Sequence, residues 1–201
     1  MAVETDVEPD EVEAVTRELD ALTARLGARL DTRGYSGLVG PAPDSSIPES
    51  PMPLNPIIGA CSPVRPDVRM WFEDGEVHGT ATMSKRFVGP PGFAHGGISA
   101  MLLDQLLGYA ASAAGHPGMT VKLETRYLAP VPLQTPLRLT AEVSEVNGRR
   151  VTARGVIATA ADPDTVLVEA TGAFVALRPE QAGRMFGGIR PDATDPRLAH
   201  D

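Results

Sequence analysis

The chain has 201 residues, 42% of them hydrophobic and 22% charged, with a formal net charge of −8. That suits one ordinary soluble domain with spare ends, and the acidic balance argues against a nucleic-acid binder, which needs a basic footprint. No apolar run reaches the length of a membrane helix, and the acidic start (Glu4, Asp6, Glu8) is unlike a secretory signal, so a cytoplasmic protein is expected. The single cysteine, Cys61, reads as an inert thiol in a reducing compartment.

Residues 8–30 predict an amphipathic helix. Val12, Val15, Leu19, Leu22, Leu26 and Leu30 recur at spacings of three and four, with acids and arginines between them. Such a helix docks on the domain or on a partner subunit. Between Pro41 and Pro66 prolines recur every few residues, which predicts an irregular, extended arm. The compact region then opens near Val68. Residues 68–73 read as a strand, Asp74-Gly75 as a tight turn, and residues 76–84 as a second strand with clean alternation. Gly89-Pro90-Pro91-Gly92 interrupts any regular element.

Residues 96–114 follow, apolar almost all round, which predicts a buried helix ended by Gly115 and Pro117. Residues 119–128, 137–146, 151–160 and 165–177 read as four more strands, with Asn147-Gly148 as a hairpin turn. The order is β-β-α-β-β-β-β. An antiparallel sheet curled around one long buried helix satisfies it, an α+β arrangement that resembles a hotdog fold; another α+β roll has the same order. The expected organisation is a helix and proline-rich arm over 1–67, the domain over 68–178, and a flexible tail over 179–201.

Several chemistries lack their motifs. There is no phosphate-binding GxxxxGK[ST], GxGxxG, HExxH or CxxC. Ser99 lacks the second glycine of a nucleophile elbow and reads as a first-turn hydroxyl. The buried helix, however, carries one carboxylate, Asp104. A carboxylate among apolar side chains is costly unless it is paired or functional; the plain alternative is a cap on a nearby amide. His95-Gly96-Gly97 opens the same helix. Free amides there favour anions and developing oxyanions, although a tight turn alone also needs glycines. His95 by itself reads as a loop-orienting residue. Gly97 and Asp104, seven residues apart, share a stripe but stand about 10 Å apart along the axis. One reacting carbon hardly meets both in one chain; a symmetric dimer can bring them together.

Gly89-Pro-Pro-Gly92-Phe-Ala-His95-Gly96-Gly97 followed by Met101-Leu-Leu-Asp104 is similar to the HGG signature of hotdog thioesterases of the phenylacetate-degradation type. The likeness covers roughly residues 68–177 and is nearest the acyl-CoA thioesterase subgroup with an Asp/Thr catalytic pair. The resemblance implies hydrolysis of an acyl-CoA to free acid and coenzyme A. Asp104 is then general base or nucleophile, and Thr120, sixteen residues on, its partner. The amide of Gly96 or Gly97 polarises the thioester carbonyl. Without the resemblance, Thr120 is simply a β-branched strand residue on the face of Lys122, Glu124 and Arg126. Many relatives carry an asparagine where this chain has Gly89. Coenzyme A enters as part of the substrate; no metal or other cofactor is implied. A homodimer or dimer of dimers with sites at the interface is expected, without membrane or nucleic-acid partners. Lys85, Arg86, Lys122, Arg126, Arg149 and Arg150 are candidate contacts for the phosphorylated tail. A hotdog hydratase or dehydratase, or a non-catalytic acyl-CoA-binding module, are the other readings.

Overall fold

Tight turns and period-two alternation build the sheet from its local pieces. In the computed structural model, which describes residues 6–29, 54–59, 61–178 and 180–181, β1 (Asp67–Glu73) and β2 (Glu76–Thr82) form the predicted hairpin. Its corner places Asp74 and Gly75 at φ 51° and 88°, the double positive φ that a two-residue turn of this hand requires. β4 (Pro136–Asn147) and β5 (Arg150–Thr159) form a second hairpin in which Asn147 pairs with Arg150. The turn residues are therefore Gly148 and Arg149, one position later than Asn147-Gly148, and only Gly148 (φ 56°) has positive φ.

β6 (Val166–Val175) pairs with β5, and β3 (Met119–Tyr127) pairs with β6, giving an all-antiparallel sheet of order β1-β2-β4-β5-β6-β3. β2 and β3 are neighbours in sequence but lie across the sheet from each other. The helix between them, α2 (Gly96–Ala113), spans that distance and touches all six strands. Leu102, Leu103, Leu106 and Leu107 are fully enclosed against the sheet, each stabilising the fold by about 2 kcal/mol. Gly115, at φ 84°, ends α2, with the His116 amide donating to Ala111 and the Gly115 amide to Ser112. This is the α+β hotdog arrangement.

Two expectations change. α2 is not enclosed on every side, because a single sheet curls around only part of a cylinder. Ile98, Met101, Asp104, Gln105, Gly108 and Tyr109 form a half-buried face. The proline-rich arm also does not stay outside the core. Ile57, 1% exposed, and Ile58 join the main cluster. Asn55 organises that turn, its Oδ1 accepting from the amides of Ile57 and Ile58 and its Nδ2 donating to Gln105 Oε1 at 2.8 Å.

The helix α1 (Pro9–Gly27) is present and buries none of its residues, so its apolar stripe does not dock on this domain. No helix of the described residues is long and apolar enough to cross a membrane. The expected tail over 179–201, apart from 180–181, lies outside the described residues, as does most of the arm.

Candidate active site

The loop before α2 is shaped by its glycines and prolines. Pro91 and Gly92 occupy the centre of a turn closed by the Phe93 amide donating to Pro90 at 2.9 Å, and Gly92 takes φ 85°, as the third position of this turn requires. The Gly89 amide donates to Phe93, and its Cα is pressed so closely on His95 that an added Cβ would stand 2.8 Å from the His95 Cα. An asparagine cannot take this place without displacing backbone.

At the start of α2 the first amides have no intrahelical acceptor and must find another. The Gly97 amide donates to His95 Nδ1 at 3.0 Å, and the Ile98 amide to the His95 carbonyl at 2.9 Å. The accepting Nδ1 is unprotonated, so the neutral imidazole carries its proton on Nε2. His95 thus caps the helix through its side chain. Among the described hydrogen bonds, the Gly96 amide is the first-turn donor left without an acceptor. The Gly96 carbonyl is held by the Tyr127 hydroxyl, which donates to it at 2.9 Å.

Two turns along the helix, Asp104 stands half-buried on the face that the sheet leaves open. Thr120 Oγ1 donates to its Oδ1 at 3.1 Å. The pair exists because β3 is irregular. Thr120 pairs with Phe174 and Lys122 with Ala173, so Val121 is a bulge. Plain alternation puts Thr120 on the face of Lys122, Glu124 and Arg126. The extra residue instead turns Thr120 to the helix side with Leu123, Thr125 and Tyr127, while the three charged residues face outward. The expected shared face is therefore overturned.

The proposed cation set divides. Arg86 donates to the carbonyls of Pro63 and Arg65, Arg149 to that of Ala176, and these arginines tie loops together. Lys122 pairs with Glu124 at 2.6 Å and Arg126 with Glu169. The Lys122 ammonium holds the Glu124 carboxyl below its usual range, and burial pushes the Tyr109 hydroxyl up. The hollows on the outer sheet face, one of them lined by Arg126, Arg154 and Glu169, do not include Asp104 or Thr120. Among the described residues no group of three or more His, Cys, Asp or Glu is placed to hold a metal ion.

Sequence reasoning missed Tyr127 and the Asn55–Gln105 link. Both depend on a neighbour more than thirty residues away. The only sequence signal for Tyr127 was an aromatic at the end of an alternating strand.

Comparisons with known proteins agree with this architecture. The thioesterase superfamily profile matches residues 91–166. The acyl-coenzyme A thioesterase THEM4 of Mus musculus is 33% identical over 93 residues, covering 46% of this chain and 40% of that protein. The acyl-coenzyme A thioesterase THEM5 of Homo sapiens is 30% identical over 93 residues, covering 46% and 37%. The matched stretch therefore spans about two fifths of the length of these relatives. The crystal structure of a thioesterase superfamily protein is 34% identical, covers 87% of each chain and superposes with a TM-score of 0.73. With that coverage and identity along nearly the whole fold, this chain belongs to the thioesterase superfamily.

Proposed function

We propose that this chain hydrolyses the thioester of an acyl-CoA, with Asp104 and Thr120 as the catalytic pair. The observation that carries the reading is the Thr120–Asp104 hydrogen bond, which a strand bulge creates on the open face of the central helix. Acyl-CoA is the substrate class in the names of the THEM4 and THEM5 relatives, and the HGG turn and Asp/Thr spacing resemble those of the subgroup that uses such a pair.

The acyl chain lies along the half-buried apolar face of α2, near Ile98, Met101 and Tyr109. The thioester carbonyl accepts a hydrogen bond from the helix start. Of the two glycines, Gly96 is the donor, since His95 already engages the Gly97 amide. Asp104 takes a proton from water as hydroxide adds to the carbonyl carbon. The tetrahedral oxyanion then collapses, the C–S bond breaks, and the departing thiolate takes up a proton. Alternatively Asp104 adds directly, expels the thiolate and leaves a mixed anhydride that water opens. In either route Thr120 orients the carboxylate or the water.

Gly96 and Asp104 are eight residues apart, about 12 Å along one helix. We therefore assign each site to two chains, the helix start of one meeting Asp104 of its mate. The outer edge of β3 pairs with no other described strand and carries exposed Met119 and Val121, which supports a second copy there. A particle that stays monomeric in light scattering while fully active would sink this arrangement. The lone, exposed Cys61 favours the cytosol.

Thiol release across short, long and aromatic acyl-CoAs tests the function. Asp104→Asn keeps the shape and an acceptor for Thr120 but removes the charge. Its turnover should fall by roughly a thousandfold or more, with the folded state retained. Parental turnover in that variant ends the reading.

A further inference from the structure

We propose that Tyr127 is a positioning residue of this site, clamping the Gly96–Gly97 peptide so that the Gly96 amide stays aimed at the thioester carbonyl. The proposal rests on the thioesterase reading above and adds to it a residue that the HGG motif does not contain.

A peptide plane has two polar handles, a carbonyl oxygen and an N–H. For the plane joining Gly96 to Gly97 both are held by side chains. The Tyr127 hydroxyl donates to the Gly96 oxygen at 2.9 Å, and His95 Nδ1 accepts from the Gly97 N–H at 3.0 Å. The preceding plane is held at the His95 carbonyl by the Ile98 amide. Every handle around Gly96 is thus engaged except its own N–H.

The clamp also explains the two glycines. A Cβ on Gly96 would meet the Tyr127 ring at 3.2 Å, and one on Gly97 would meet the His95 ring at 3.2 Å. The two rings take the space that side chains would need. Consecutive glycines are otherwise the most permissive backbone available, and an aimed donor requires that freedom to be removed. Tyr127 reaches Gly96 because β3 runs along α2, with Tyr127 opposite Val168 on the helix side. The same strand carries Thr120 near its other end. One strand therefore orients the carboxylate through Thr120 and the carbonyl donor through Tyr127.

Tyr127→Phe keeps the ring and deletes the hydroxyl. Three measurements on the full chain decide its role: thiol-release kinetics, thermal midpoint, and affinity for an S-alkyl-CoA thioether, which has no carbonyl. We expect kcat to fall about tenfold while KM stays within about twofold, since a positioned donor acts on the transition state. Thioether affinity and Tm should match the parent. Parental kcat would overturn the proposal and leave the thioesterase reading standing. So would a loss of kcat matched by lost thioether affinity or a Tm several degrees lower, since either marks a merely structural residue. A parent that releases thiol from no acyl-CoA overturns both. Should Tyr127→Phe not fold, hydrogen exchange at the Gly97 amide in Tyr127→His decides instead. Parental protection there would overturn the clamp, and faster exchange confined to the Gly96–Gly97 turn would support it.

Discussion

β3 presents two faces that differ in both chemistry and consequence. Its outer face holds the tightest polar contacts on the strand, Lys122 to Glu124 at 2.6 Å and Arg126 to Glu169. Its inner face holds longer ones, Thr120 to Asp104 at 3.1 Å and Tyr127 to Gly96 at 2.9 Å. Distance alone ranks the outer pairs first, although all four contacts are open to solvent and the helix partners of the inner pairs, Asp104 and Gly96, are half-buried. The outer groups are largely exposed, so water and salt compete for them, and the ordering of long side chains offsets the attraction. The inner bonds are made to a half-buried helix and fix where a carboxylate and an amide point. The strand teaches that a polar contact matters through what it positions.

The largest effect that sharpens this contrast, after loss of Asp104 itself, belongs to Gly96→Pro. Proline deletes the one unengaged amide at the first position of the helix, where its backbone is well tolerated, and His95 already has the extended ψ of 131° that precedes proline, although its Cβ meets the Tyr127 ring at 3.2 Å and the ring must give way slightly. Turnover should fall roughly a hundred- to a thousandfold with the helix intact by circular dichroism. If the variant turns over like the parent, the Gly96 donor assignment is wrong. Mixed with Asp104→Asn, it also probes the two-chain site. Subunits exchanged between the two inactive variants should recover about a quarter of parental turnover, because half the dimers then carry one intact site.

A smaller effect is expected from Thr120→Ala. Losing the hydroxyl that donates to Asp104 should lower thiol release by roughly ten- to a hundredfold, whereas deleting Val121 keeps Thr120 opposite Phe174 on the inner face and should spare most of the activity. Full activity in Thr120→Ala would break the link between this bond and the site. The smallest effect belongs to the outer face. Lys122→Ala should leave turnover and Tm at parental values in ordinary salt. The sign of its pH dependence is nevertheless set. Lys122 holds the Glu124 carboxyl low, so whatever the pair contributes is present at neutral pH and fades as the medium turns acidic. A Lys122→Ala variant that loses activity would instead bring the outer face into the site.

Much of the fold was legible from residue order. Asp74-Gly75 set one corner, and the apolar run from Ile98 to Ala111 marked the central helix. Alternation along residues 137–146 and 151–160 marked strands whose ends the structure moves by one residue. The candidate set of His95, Gly96, Gly97 and Asp104 could be picked out too, because it sits on one short stretch. The arm was less legible. Ile57 and Ile58 sit among prolines, and only the core they enter reveals them as buried. The open side of α2 was also hidden, since only Asp104 and Gln105 mark it among apolar neighbours.

Local chemistry therefore determined the turns, the strand periods, the helix and the residues at its start, all of which depend on neighbours a few positions apart. Tertiary structure alone decided that β3 lies at the far edge beside β6, that Val121 bulges, and that Thr120 and Tyr127 both face α2. The reason is physical. Which face a strand residue takes is set by hydrogen-bond register with a partner strand about fifty residues away, and one extra residue in that register reverses it.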